Sequence, residues 1–128
     1  MAVRQNPRSG ISYGWPAGDS GWVGRVNIHL MRASHQAPNY AVIDTLSTPP
    51  TTGLADGNIY IVGASPTGDW STYLANTLAL YGYLEPDFDN LGWVNLPVFA
   101  AWTCWHIANN QMLVYDGTAW RVVYTYVP

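Results

Sequence analysis

From residue 40 onward, apolar and polar residues alternate along short runs separated by turn residues. The runs are Tyr40 to Asp44, Asn58 to Val62, Thr77 to Tyr83, Trp93 to Leu96, Trp102 to Ala108, Met112 to Tyr115 and Ala119 to Tyr126. A period of two, with Gly, Pro, Asn or Asp breaks about every ten residues, predicts strands joined as antiparallel hairpins. Between the first two runs, LSTPPTTGLADG reads as a loop, because Pro49 and Pro50 exclude a helix. Asp116-Gly117 predicts a tight hairpin with a primed turn, whose positive φ values Gly and Asp tolerate.

Before residue 40 the period differs. In DSGWVGRVNIHLMRAS, Asp19 or Ser20 can accept from the free amides of a helix start, and Val23, Val26, Leu30 and Ala33 fall on one face. One short helix is expected there, weakened by Gly24 and stopped by Pro38. Residues 1–19 are rich in Gly, Pro, Ser and Asn with isolated Tyr13 and Trp15, and read as an arm that docks on a neighbour. The expected organisation is an N-terminal docking arm over 1–19 and one mainly β domain over 20–128 with a short leading helix. Its expected architecture is a small antiparallel β-sandwich or barrel of hairpins.

Two stretches are alike. Leu78-Ala79-Leu80-Tyr81-Gly82 leads to Gly92-Trp93-Val94, and Leu113-Val114-Tyr115-Asp116-Gly117 leads to Ala119-Trp120-Arg121. Each is an apolar strand, a glycine turn and a strand opening on Trp, which fits either an internal duplication or shared hairpin chemistry.

Composition turns this domain into an assembly subunit. Of 128 residues, 48% are hydrophobic and 10% charged, with seven Trp, nine Tyr and no lysine. A typical globular domain is about one quarter charged, so this surface has too few charges to stay free of apolar patches unless neighbours cover it. A net charge of −3 and scattered arginines (Arg4, Arg8, Arg25, Arg32, Arg121) disfavour nucleic-acid binding. The start lacks the apolar region of a secretory signal, and no run reaches the roughly 18 apolar residues of a membrane span. The single cysteine, Cys104, is expected to be a buried, inert thiol.

No phosphate loop, paired metal ligands or nucleophile elbow is present in the sequence, so no enzyme, cofactor or metal is expected. His29, His35 and His106 stand too far out of register to share a metal. Glu85, Asp87 and Asp89 crowd together in YLEPDFDN, which suits a solvated hairpin tip better than a calcium loop, whose glycine and distal Glu are missing. Trp and Tyr on a β module either fill subunit interfaces or stack on sugar rings. Tyr13, Trp15, Tyr83, Trp93 and Trp102 are the candidate partner or glycan contacts. Trp102, Cys104 and His106 alternate with Thr103, Trp105 and Ile107, which predicts a strand covered on both faces.

The string ADGNIYIVGASPTGDW, Ala55 to Trp70, resembles a family of bacteriophage and prophage proteins of undefined activity with a PP…ADGxxYIVG…TGxW segment. YGWPAGDSGW, Tyr13 to Trp22, resembles that family's amino-terminal element, and LVYDGTAW, Leu113 to Trp120, its closing hairpin. Ser71 to Ala101 departs from the pattern, lacking a second Gly-Ala-Trp turn and carrying YLEPDFDN. The resemblance implies a virion structural protein of the tail, baseplate or tail fibre, made in the host cytoplasm. Such a protein acts by assembly with copies of itself and other virion proteins. A capsid decoration or cement protein, and a module binding host-surface glycan, are the alternatives.

Overall fold

Alternation places Ile59 and Ile61 on one side of a strand and Tyr60 and Val62 on the other, and here both sides are buried. A computed structural model describes residues 4–5, 12–13 and 40–128. The helix expected after Asp19 lies outside the described residues, as do Trp15 and the side chain of Tyr13.

Among the described residues ten strands follow in order: β1 (Arg4–Gln5), β2 (Ser12–Tyr13), β3 (Tyr40–Val42), β4 (Thr45–Leu46), β5 (Asn58–Val62), β6 (Leu78–Tyr83), β7 (Leu91–Leu96), β8 (Thr103–His106), β9 (Gln111–Tyr115) and β10 (Trp120–Thr125). A single 3-10 turn, Gly68–Trp70, interrupts the loop between β5 and β6. β1 and β2 form a two-stranded ribbon; the rest form two four-stranded sheets, ordered β4-β5-β6-β7 and β10-β9-β8-β3. The protein is mainly β, with the two sheets packed as a small sandwich and no closed barrel among the described residues.

The hairpins β5–β6, β6–β7, β8–β9 and β9–β10 are antiparallel as expected. Two pairings are parallel instead: β3 with β8, and β4 with β5. Both arise from the segment 40–46, which runs along one sheet and then the other. The Ile43 carbonyl accepts from the Ala108 N–H at 3.1 Å, whereas the Ile43 N–H donates to the Ile59 carbonyl at 2.8 Å. The Asp44 carbonyl then accepts from Ile61 and the Leu46 carbonyl from Gly63. Strands that switch sheets in this way make the corners of packed β structures.

The core lies between the sheets. Val42, Ile59, Ile61, Leu78, Leu80, Leu96, Cys104 and Leu113 are its buried members, with Val94, Val98, Trp102 and Trp120 packed against them. Each fully buried large aliphatic contributes on the order of 1.5–3 kcal/mol. The indole N–H of Trp120 donates to the Asn76 carbonyl at 2.9 Å and so ties the last hairpin to the opposite sheet's loop.

The outer faces of the two sheets differ. On β4-β5-β6-β7, a second cluster of Tyr60, Val62, Trp70 and Ala79 is buried, because the 63–77 loop folds back and inserts Trp70 over the sheet. On β10-β9-β8-β3, register lines Ala41, Trp105, Met112 and Tyr124 in one row across four strands. Met112 is 43% and Tyr124 56% exposed, and Thr103 and Ile107 are exposed as well. The expectation that the 102–108 strand is covered on both faces is therefore corrected. Its Cys104 and His106 face is buried, and its other face is open because no loop equivalent to 63–77 is inserted between β8 and β9.

In the 116–119 turn only Gly117, the first central residue, takes positive φ, +99°, which excludes type I′ and agrees with the primed type II′, whose first central residue is Gly. Asp116 adds to the turn, its Oδ1 accepting from the Thr118 and Ala119 N–H groups at 2.8 Å each. In β10 the register shifts between Val122 and Tyr124, leaving Val123 as a bulge.

Candidate functional site

A groove of about 520 Å³ on the outer face of β4-β5-β6-β7 has the shape of a binding site. This lies within the roughly 300–1,000 Å³ of small-molecule sites. One wall is the 47–57 loop, contributing Pro49, Pro50 and Thr51; the opposite side brings Asp69 and Tyr73 from the 3-10 loop. The sheet supplies Tyr81 and Trp93.

Each wall has a local cause. Tyr81 and Trp93 are register partners on β6 and β7, so their side chains share the outer face, and the rings meet with centroids 5.0 Å apart at 71°. Trp70 stands edge-on to Trp93, centroids 4.9 Å apart at 85°, and Tyr60 approaches both rings at about 6 Å. Aromatic pairs prefer such edge-to-face contacts, which hold Trp93 in one orientation. The two loops are fastened together by the Thr48 and Thr67 hydroxyls at 2.8 Å and by the Thr67 N–H donating to the Ser47 carbonyl at 2.9 Å. Gly68, at φ +60°, makes the turn that leads into Trp70.

The PP, ADGxxYIVG and TGxW segments are thereby brought together. Pro49 and Pro50 line the groove, Gly57 turns the chain at φ +95° into β5, and the strand's Tyr60 supports Trp93. The sequence signal therefore reports how the groove is built. Trp70, which closes the TGxW segment, and Tyr73 are absent from the candidate contacts picked out by sequence and sit in a loop-like string, TGDWSTY; a large aromatic among such loop formers was the available clue.

Polar chemistry in the groove is sparse. Asp69 is its one charged lining residue. It has no ion-pair partner among the described residues. Burial raises the Tyr73 phenol above its ordinary value, and the nearby Asp69 carboxylate raises it further. The hydroxyl therefore stays protonated and able to donate. Tyr60 is raised in the same way, by burial and then by Asp44.

Tyr83 and Trp102, the other singled-out aromatics with described side chains, do not join the groove's lining. The Tyr83 ring is capped by the Arg4 guanidinium, 3.9 Å from its centroid. Arg4 also donates through Nε to the Phe88 carbonyl at 2.9 Å and approaches Asp89 at 3.7 Å. The first ribbon is thus seated on the β6–β7 tip, where Glu85, Asp87 and Asp89 are exposed around buried Phe88. No cluster of three metal-binding side chains occurs among the described residues. Trp102 packs on the inter-sheet core, with Phe99 5.5 Å away.

Two titratable groups prove structural. Cys104 is buried, and desolvation pushes its thiol up to about 12, which leaves it a core residue rather than a nucleophile. His106, 2% exposed, accepts at Nδ1 from the Asn109 N–H at 3.3 Å. Its Nε2 therefore carries the hydrogen and donates to Thr45 Oγ1 at 3.1 Å, pinning β8 to β4. His29 and His35 lie outside the described residues.

A family model described as a protein of unknown function, DUF2793, matches residues 30–121, which is more than half of the chain. No curated protein and no solved structure matches it.

Proposed function

Because the chain belongs to the DUF2793 family, whose description names no activity, we propose on the strength of its own surface that it is an oligomeric structural subunit of a bacteriophage virion. It works there by protein–protein assembly in the tail, baseplate or tail fibre. The observation that carries the assembly reading is the open face and edge of β10-β9-β8-β3. The Trp105, Met112 and Tyr124 row runs into an uncharged strand end where Val122, Val123, Tyr124, Tyr126 and Val127 are each at least half exposed. Aromatics and Met without charge are the composition of interface cores. Exposed apolar side chains gathered at one strand end in this way mark an interaction surface. The Val123 bulge breaks the regular edge, a device that blunts strand addition. The contact is therefore made by side chains packing face to face. The virion setting rests on the likeness of Tyr13 to Trp22, Ala55 to Trp70 and Leu113 to Trp120 to phage proteins.

Light scattering on the full chain tests assembly. The unmodified protein is expected to be oligomeric at micromolar concentration, and Met112→Glu with Tyr124→Glu is expected to yield a monomer with an unchanged circular dichroism spectrum. A stable unmodified monomer would overturn the reading. Peptides of this chain among the proteins of purified particles, located by electron microscopy at the tail, test the virion setting.

A further inference from the structure

We infer that the groove between Pro49, Asp69, Tyr73, Tyr81 and Trp93 is a binding site for a neutral saccharide, with Trp93 as the stacking platform. The inference goes beyond assembly and stands apart from it, since the groove and the open Trp105, Met112 and Tyr124 face belong to different sheets.

The occupant follows from what the walls offer. A pyranose has an apolar face of C–H groups and a rim of hydroxyls. It is bound by an aromatic plane with a polar tip and by groups that accept or donate single hydrogen bonds. Trp93 is half-buried, held from behind by Trp70 and Tyr60 and beside by Tyr81, and still lines the groove. It is therefore fixed before a ligand arrives, which spares the ordering cost of binding. Asp69 supplies an acceptor and Tyr73 a donor at the rim, while Thr51 adds a hydroxyl on the opposite wall.

Charge excludes the other ligand classes. No lining residue is cationic and one is anionic, so sulfated, phosphorylated or sialylated ligands would meet an unpaired Asp69. A quaternary ammonium is the remaining competitor, because aromatic rings and a carboxylate also make ammonium cages. The ring spacing argues against it. Tyr60, Trp70, Tyr81 and Trp93 contact one another at centroid distances of 4.9 to 6.0 Å, edge against face. These four rings pack on one another and leave no void among themselves for a cation, while Trp93 lines the open groove.

The experiment is saturation-transfer difference NMR and tryptophan-fluorescence titration of the full chain. The probes are glucose, galactose, mannose, N-acetylglucosamine and their β-linked disaccharides, with choline and sialic acid alongside. Transfer to the ring C–H protons of at least one neutral sugar is expected. Asp69→Asn and Tyr73→Phe are each expected to weaken its binding about 5- to 10-fold, the loss of one hydrogen bond to a charged or phenolic partner. Both variants should keep the unmodified unfolding midpoint. Silence from every neutral sugar, binding of choline or sialic acid in their place, or equal affinity in both rim variants would overturn the assignment. An outcome at this groove leaves the oligomeric state untouched, so the two proposals fail separately.

Discussion

The indole of Trp70 stands edge-on to that of Trp93, ring centroids 4.9 Å apart and planes at 85°. Trp70 is fully buried, whereas Trp93 is half-buried and lines a groove. The two residues form one contact, yet their truncations are expected to differ. Trp70→Ala empties the centre of the outer cluster and is expected to cost about 3–5 kcal/mol; Trp93→Ala, open to water on one side, costs less. Trp70→Phe is expected to be the mildest of the three. It keeps most of the ring and removes a buried indole N–H that has no partner among the described residues. Urea unfolding of the three variants checks the order, and a Trp93→Ala loss equal to that of Trp70→Ala would contradict it.

Gly63 and Gly53 separate two reasons for glycine. A Cβ on Gly63 would lie 2.6 Å from Ser47 Oγ and 3.2 Å from the Leu46 and Ser47 backbone, where β4 leaves β5. Ser47 Oγ donates to the Ala64 carbonyl at 2.6 Å and has no free room to retreat. Gly63→Ala is therefore expected to cost about 1–3 kcal/mol through overpacking. Gly53 has nothing within 4 Å but sits at φ +70°. Gly53→Ala should cost only the backbone penalty of about 1–2 kcal/mol. Adding Ser47→Ala is expected to relieve part of the Gly63→Ala loss and none of the Gly53→Ala loss, which denaturant titration of the double variants will show.

Acid should loosen the last hairpin over a defined window. Asp116 is held at about 2, below its ordinary 3.8, first by the Ala119 N–H, then by Arg121 at 2.7 Å and the Thr118 N–H. A folded-state value below the unfolded one means that these contacts stabilise the protein fully above about pH 4. The contribution is lost as pH falls toward about 2. The gap in unfolding midpoint between the unmodified protein and Asp116→Asn is therefore expected to be widest at neutral pH. It should close between pH 4 and pH 2. A gap that stays constant over that interval would assign the stabilisation elsewhere.

Strand positions were legible because alternation is a local signal. β5 runs over Asn58 to Val62 as expected, and β6 and β9 begin within one residue of expectation. β4 was missed because Thr45 and Leu46 precede Ser47-Thr48-Pro49-Pro50 and share the composition of that loop. The parallel pairings were not legible, since a strand alternates identically whichever neighbour it adopts, and β3 meets β8 across some sixty residues of chain. Of the aromatics picked out by sequence whose side chains are described, Trp93 alone lines the groove. Trp102 was drawn into the core, and Tyr83 was claimed by Arg4, a residue far away in sequence. The likeness of the two hairpins has a structural counterpart. Tyr81 pairs with Trp93 and Tyr115 with Trp120, but Trp93 faces outward and Trp120 packs on the core.

Ile43 gives its N–H to β5 of one sheet and its carbonyl to the turn that joins β8 and β9 of the other. The sandwich consequently has no plane along which it can be parted by breaking side-chain packing alone. Peeling either sheet away means stripping a hydrogen-bonded ladder from the same short rail. Main chain, and not side-chain packing alone, thus joins the sheet with the open face to the sheet that carries the groove.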